Sequence, residues 1–134
     1  MMTSTRPMMA AQLDTRPTIL VVEDEWIIRM LIVDALRDEG MCVIEAASGA
    51  EAIEFIQSGA TLDLIFTDVR MPGPVDGLAL LAFAQQAAPG VPVIMSSGHL
   101  AEAIATNAGA VAFLGKPYRV AEAIDAISAG LVRH

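Results

Sequence analysis

Short apolar runs alternate with helical apolar spacings along this chain from Thr18 onward. The runs are TILVV (18–22), CVIEA (42–46), DLIFT (63–67), VPVIMS (91–96) and AVAFL (110–114). Each is aliphatic or β-branched and bounded by turn-forming residues, which marks a strand. The segments between them carry the spacing and punctuation of helices. The first helix is expected from about Glu25 to Glu39, stopping at Gly40, and the second from about Ala50 to Gln57, before Gly59. The third follows Asp76 and ends before Pro89, the fourth spans about Leu100 to Asn107, and the fifth runs from about Arg119 to the C-terminus. Nearly continuous apolar strands, each followed by a helix, predict an α/β fold: a five-stranded parallel sheet with helices on both faces, doubly wound as (βα)5.

Two helices say more. In the fifth, Val120, Ile124, Ile127 and Leu131 share one face and should cover the sheet. In the first, Ile28, Leu31, Ile32, Ala35 and Leu36 predict the inward stripe, while Trp26, Met30 and Val33 form a second apolar line. Only one helix face is buried in this architecture, so the second line is either covered by the N-terminal tail or offered to a partner. Residues 1–16, polar and Met-rich without periodicity, read as that flexible tail, ahead of a single domain over 17–134.

The length of 134 residues suits one domain, and 54% apolar residues exclude a disordered chain. Eight Lys plus Arg against sixteen Asp plus Glu give a net charge of −8, which disfavours direct binding to nucleic acid or to anionic membranes. The one cysteine, Cys42, sits in a strand run and reads as core, which rules out an internal disulfide. No apolar run reaches the roughly 18 residues of a membrane span, and residues 1–16 lack a secretory h-region. A soluble, cytoplasmic protein with no attached output domain is therefore expected. The only lysine is Lys116.

Open parallel sheets bind ligands outside the carboxyl ends of their strands. The residues there are Glu23 and Asp24, Asp68, Ser96 and Ser97, then Gly115, Lys116 and Pro117. Three carboxylates converging on one rim repel unless a cation neutralises them, and oxygen donors without His or Cys suit Mg²⁺. A carboxylate beside that cation can attack a phosphoryl group whose oxygens the lysine and a hydroxyl stabilise. Aspartyl phosphorylation is the chemistry expected. Taken singly, the acidic pair and Ser97 each read as helix caps, but helix capping leaves Asp68 and Lys116 unexplained.

The runs VVEDE (21–25), TDVRMPG (67–73), VIMSSGH (93–99) and FLGKP (113–117), in this order on five βα units, resemble the receiver domain of two-component response regulators. The resemblance covers about residues 18–133 and implies a flavodoxin-like fold. It makes Asp68 the phosphoacceptor and Asp24 a direct Mg²⁺ ligand together with Asp68. Glu23 would act through a metal-bound water and Arg70 through its backbone carbonyl. Ser97 and Lys116 would each bond a phosphoryl oxygen, Phe113 would hold the aromatic switch position, and Lys116–Pro117 would be cis. His99 falls where family members vary the rate of phosphoryl hydrolysis, or is simply an exposed loop histidine.

The implied partner is a histidine kinase or histidine phosphotransfer protein, whose histidine-bearing helix bundle the first helix helps dock, with an unidentified protein downstream. A phosphorylation-dependent homodimer is compatible with the family. The chain would be no enzyme beyond its own phosphorylation and dephosphorylation. Three departures stand out: Glu-Asp replaces the commoner Asp-Asp, the loop MPGPVDG (71–77) is one residue longer than usual, and Phe113 lacks a tyrosine hydroxyl. The alternative is a Mg²⁺-dependent phosphatase or phosphotransferase on a small substrate, resembling the haloacid dehalogenase group. Such enzymes need a second Asp two residues after the nucleophile, where this chain has Arg70.

Overall fold

The computed structural model describes residues 15–99 and 102–132. Strands β1 (Thr18–Val22), β2 (Cys42–Ala46), β3 (Leu64–Asp68), β4 (Val93–Ser97) and β5 (Ala112–Gly115) alternate with helices α1 (Trp26–Asp38), α2 (Gly49–Gln57), α3 (Gly77–Ala87), α4 (Glu102–Ala108) and α5 (Val120–Val132). The strands form one sheet in the order β2-β1-β3-β4-β5, with every neighbouring pair parallel. The order reverses between β1 and β3, and such a switch point opens a crevice at the carboxyl ends of the strands.

Strand alternation divides the core between two faces. Leu20, Val22, Ile65 and Met95 pack with α2, α3 and α4, whereas Ile19, Val21, Phe66 and Ile94 pack with α1 and α5. In α5, Ala123 and Ile127 are buried and Val120, Ile124 and Leu131 pack against them, as the spacing predicts. No helix among the described residues is long and apolar enough to cross a membrane. Of the expected tail, only Thr15 and Arg16 fall within the described residues, and Leu100 also lies outside them.

Two expectations are corrected. The last three strands end one residue later than the apolar runs do, because the ladder continues through polar residues. Asp68 pairs with Ser96, and the Val69 N–H donates to Ser96 O at 3.0 Å. In α1 the buried face is turned: Ile32, Val33 and Leu36 are buried, whereas Leu31 is exposed. Arg29 occupies part of the inward sector, where its guanidinium reaches polar groups of the sheet. The face left outside is therefore Trp26 (62% exposed), Ile27 (53%), Leu31 (49%) and Met30 (43%).

The long 71–77 loop is closed by two tight approaches. Gly73 takes a positive φ of 93°, and Val75 packs against Gly49, where a Cβ has no room. Asp76 then caps α3, its carboxylate accepting the Ala79 N–H at 2.8 Å. A Cβ on Gly77 would collide with the Asp68 carbonyl and lie 2.7 Å from Val69 Cα. Helix propensity alone makes Gly→Ala stabilising by about 1 kcal/mol. The Gly77→Ala substitution is instead expected to destabilise the domain by about 1–3 kcal/mol in urea unfolding, since backbone cannot yield as a side chain does. A midpoint at or above that of the wild type would contradict the close packing of α3 on the end of β3.

Candidate functional site

Each side chain on the carboxyl rim is placed by the strand before it. At the end of β1, the Glu23 N–H donates to Ala46 O at 3.0 Å, which extends the sheet by one bond and turns Glu23 inward. Glu23 is only 4% exposed and Asp68 6%, while the adjacent Asp24 is exposed. Beyond β4, the Lys116 N–H donates to Ser97 O at 2.9 Å, tying the β5–α5 loop to its neighbour. The Lys116–Pro117 peptide is cis.

The central contact is the Lys116 ammonium, which donates to Glu23 Oε1 and to Asp68 Oδ2, both at 3.0 Å. Glu23 Oε2 also accepts the Glu25 N–H at 3.1 Å. One carboxylate oxygen from each of Glu23, Asp24 and Asp68 lies within 4.8 Å of the other two. Three carboxylates face one ammonium, so excess negative charge remains. Burial raises the Glu23 carboxyl above its ordinary pKa, and Asp68 adds to this, against the Glu25 N–H and Lys116. Burial opposes the charge on Lys116, but its bonds to Asp68 and Glu23 outweigh that and raise its pKa. An all-oxygen, all-anionic donor set of this spacing fits a hard divalent cation such as Mg²⁺.

The remaining predicted residues fall around this centre. Ser97 is buried, and its hydroxyl accepts the His99 N–H at 3.0 Å. Exposed Arg70 and His99 line the rim of a cleft of about 330 Å³ that also opens onto Asp24, Asp68, Ser97 and Lys116. Phe113 lies apart, half-buried on β5 against the α2–α4 side of the core.

Two further residues, Tyr118 and Arg29, were not singled out by sequence reasoning, and Ser96 was read only as a rim residue beside Ser97. Tyr118 stacks edge-on against Phe66, its centroid 6.0 Å away. Its hydroxyl and that of Ser96 are both buried, and Ser96 acts on the phenol as a neighbouring hydrogen-bonding group. Burial and the nearby Glu23 push the phenol up to about 12. Arg29 donates to the Glu23 carbonyl at 2.7 Å. The signal for Arg29 was a basic residue within the apolar sector of α1, whereas Tyr118 gave none beyond its place two residues after Lys116.

This geometry agrees with the comparisons to known proteins. Residues 19–128 match the model of the response regulator receiver domain. The chain is 41% identical over 113 residues to the sensor kinase CckA of Brucella abortus (strain 2308), covering 81% of this chain and 12% of that protein. It is 38% identical over 112 residues to the DNA-binding transcriptional regulator NtrC of Escherichia coli (strain K12), covering 81% of this chain and 24% of that one. It thus spans a quarter or less of those relatives. A CheY-like receiver domain structure from Methanospirillum hungatei JF-1 superposes with a TM-score of 0.82 at 28% identity, covering 89% of this chain and 96% of that one. Receivers are phosphoacceptor signalling domains that bind Mg²⁺ and interact with histidine kinases or phosphotransfer proteins. A parallel (βα)5 sheet with its acidic centre and lysine at the switch point, matched over nearly the whole domain by one family model, belongs to the response regulator receiver family.

Proposed function

We propose that Asp68 accepts a phosphoryl group from the phosphohistidine of a histidine kinase or phosphotransfer protein, in a Mg²⁺-dependent reaction, and that the phosphorylated chain signals by protein contact. The observation that most supports this is the Lys116 ammonium, 3.0 Å from Asp68 and from Glu23, with Asp24 beside them. An Asp68 carboxylate oxygen bonds to phosphorus as the P–N bond breaks, and the imidazole leaves with the electron pair. Asp24, Asp68 and the Arg70 backbone carbonyl would hold Mg²⁺, with Glu23 acting through a water. When bound, Mg²⁺ supplies the positive charge that lets an anionic donor approach three carboxylates. Lys116 then takes one phosphoryl oxygen and the Ser97 hydroxyl another. The shift of Ser97 biases the packing of Phe113, a ring without a hydroxyl, and with it the face formed by α4, β5 and α5.

The proposed docking surface is the exposed line of Trp26, Ile27, Met30 and Leu31. It borders an apolar cleft of about 480 Å³ between α1 and the β5–α5 loop, which shares Gly98, His99 and Lys116 with the polar cleft. A donor histidine entering the polar cleft brings its own helix over that surface. The proposed setting is the cytoplasm, in keeping with a single free cysteine.

Intact mass after incubation with a small phosphodonor and MgCl₂ should rise by one phosphoryl group. Asp68→Asn and the wild type in excess chelator should stay unmodified, and modification of either would overturn the assignment. The raised pKa of Glu23 gives a second test. Below its ordinary value of 4.5 the carboxyl is neutral in folded and unfolded chains, and stability falls as pH rises through the higher folded value. In chelator at pH 7, Glu23→Gln should therefore melt above the wild type, and added Mg²⁺ should raise the wild type more than the variant. A variant that melts lower in chelator would contradict this electrostatic account.

The docking surface is checked by Trp26→Ala, which should weaken the kinase or phosphotransfer complex by about 2 kcal/mol, as loss of an aromatic anchor does. Phosphorylation by the small donor should be retained. Unchanged partner affinity would remove Trp26 from the interface.

A further inference from the structure

The carbonyl of Glu23 belongs to the peptide that joins Glu23 to Asp24, so two of the three rim carboxylates hang from one peptide plane. Arg29 Nη1 donates to that carbonyl at 2.7 Å, a short, charge-assisted bond. Its Nε donates to Glu45 Oε1 at 3.3 Å. Glu45 is a β2 residue and precedes Ala46, whose carbonyl accepts the Glu23 N–H. Glu23 is thus held at its N–H by β2 directly, and at its carbonyl by β2 through Arg29. The Arg29 N–H bonds to Glu25 O at 3.0 Å, which anchors the first turn of α1 to the same three-residue stretch.

We infer that Arg29 is a positioning residue for divalent-cation binding: through the Glu23 carbonyl it fixes the Glu23–Asp24 peptide, and so the directions from which these two carboxylates meet the ion. This rests on the cation site proposed above. The two roles open to a guanidinium here have opposite signs. As a charge near the acidic centre it repels Mg²⁺, and its removal would tighten binding. As an orienting group it lowers the cost of arranging the ligands, and its removal loosens binding, as loss of the groups behind metal ligands does.

The test is a Mg²⁺ titration of amide chemical shifts in wild type, Arg29→Met and Arg29→Lys, at fixed ionic strength and below each variant's melting point in chelator. Arg29→Met should weaken Mg²⁺ binding by about tenfold. Arg29→Lys keeps the charge but cannot grip Glu23 and Glu45 together, and should show a smaller loss in the same direction. Tighter or unchanged binding by Arg29→Met would overturn the inference. If that variant does not fold, Arg29→Lys decides, and wild-type affinity there overturns it equally. Absence of Mg²⁺-dependent shifts in the wild type itself would be a different failure, that of the cation site, and the role of Arg29 would fall with it.

Discussion

Three carboxylates crowded onto one rim are an unfavourable arrangement, and the ammonium of Lys116 between Glu23 and Asp68 is what makes it tolerable. Neither acid has enough water around it to be solvated alone, so each depends on that shared cation and on backbone N–H groups. The chain supplies the lysine from a loop distant in sequence, and the sheet order brings that loop alongside. The Lys116 N–H on Ser97 O, the Val69 N–H on Ser96 O and the Glu23 N–H on Ala46 O are ladder bonds continued past the regular strands. Each leaves a functional side chain at the rim, and the excess negative charge that remains is what a divalent cation would neutralise.

The same crowding explains why small residues matter around the site. Helix α3 begins directly against the backbone of Asp68, where Gly77 leaves no space for a methyl group. The 71–77 loop is folded back before that point, by the turn at Gly73 and by Val75 against Gly49. The fixed approach lies at the helix start, directly after Asp68 in space.

Much of this was legible in the sequence, for physical reasons that can be located. Strands buried on both faces must be nearly uninterrupted apolar runs, so all five were visible, and helix punctuation at Gly40 and Gly59 gave the intervening elements. The rim residues followed, since residues that end parallel strands share one edge. Periodicity failed where a polar group belongs inside. Arg29 drew no role from the apolar spacing of α1, yet it lies in the buried sector because Glu23 and Glu45 offer it partners. With Arg29 turned inward, Val33 is buried and Leu31 exposed, the reverse of the apolar count. Tyr118 was missed for a related reason: a buried hydroxyl leaves no mark on a hydrophobic pattern.

The placement of Lys116 also governs how the protein can be handled at the bench. It carries the only side-chain primary amine in the chain, and its carboxylate bonds raise its pKa and so disfavour the free, nucleophilic amine. Acylating dyes and amine-directed cross-linkers therefore find no reactive lysine elsewhere on the surface, the exposed face of α1 included. Conjugation at lysine, were it forced, would cap the group that balances Glu23 and Asp68, so immobilisation and distance mapping on this protein call for introduced cysteines or carboxylate chemistry away from the rim.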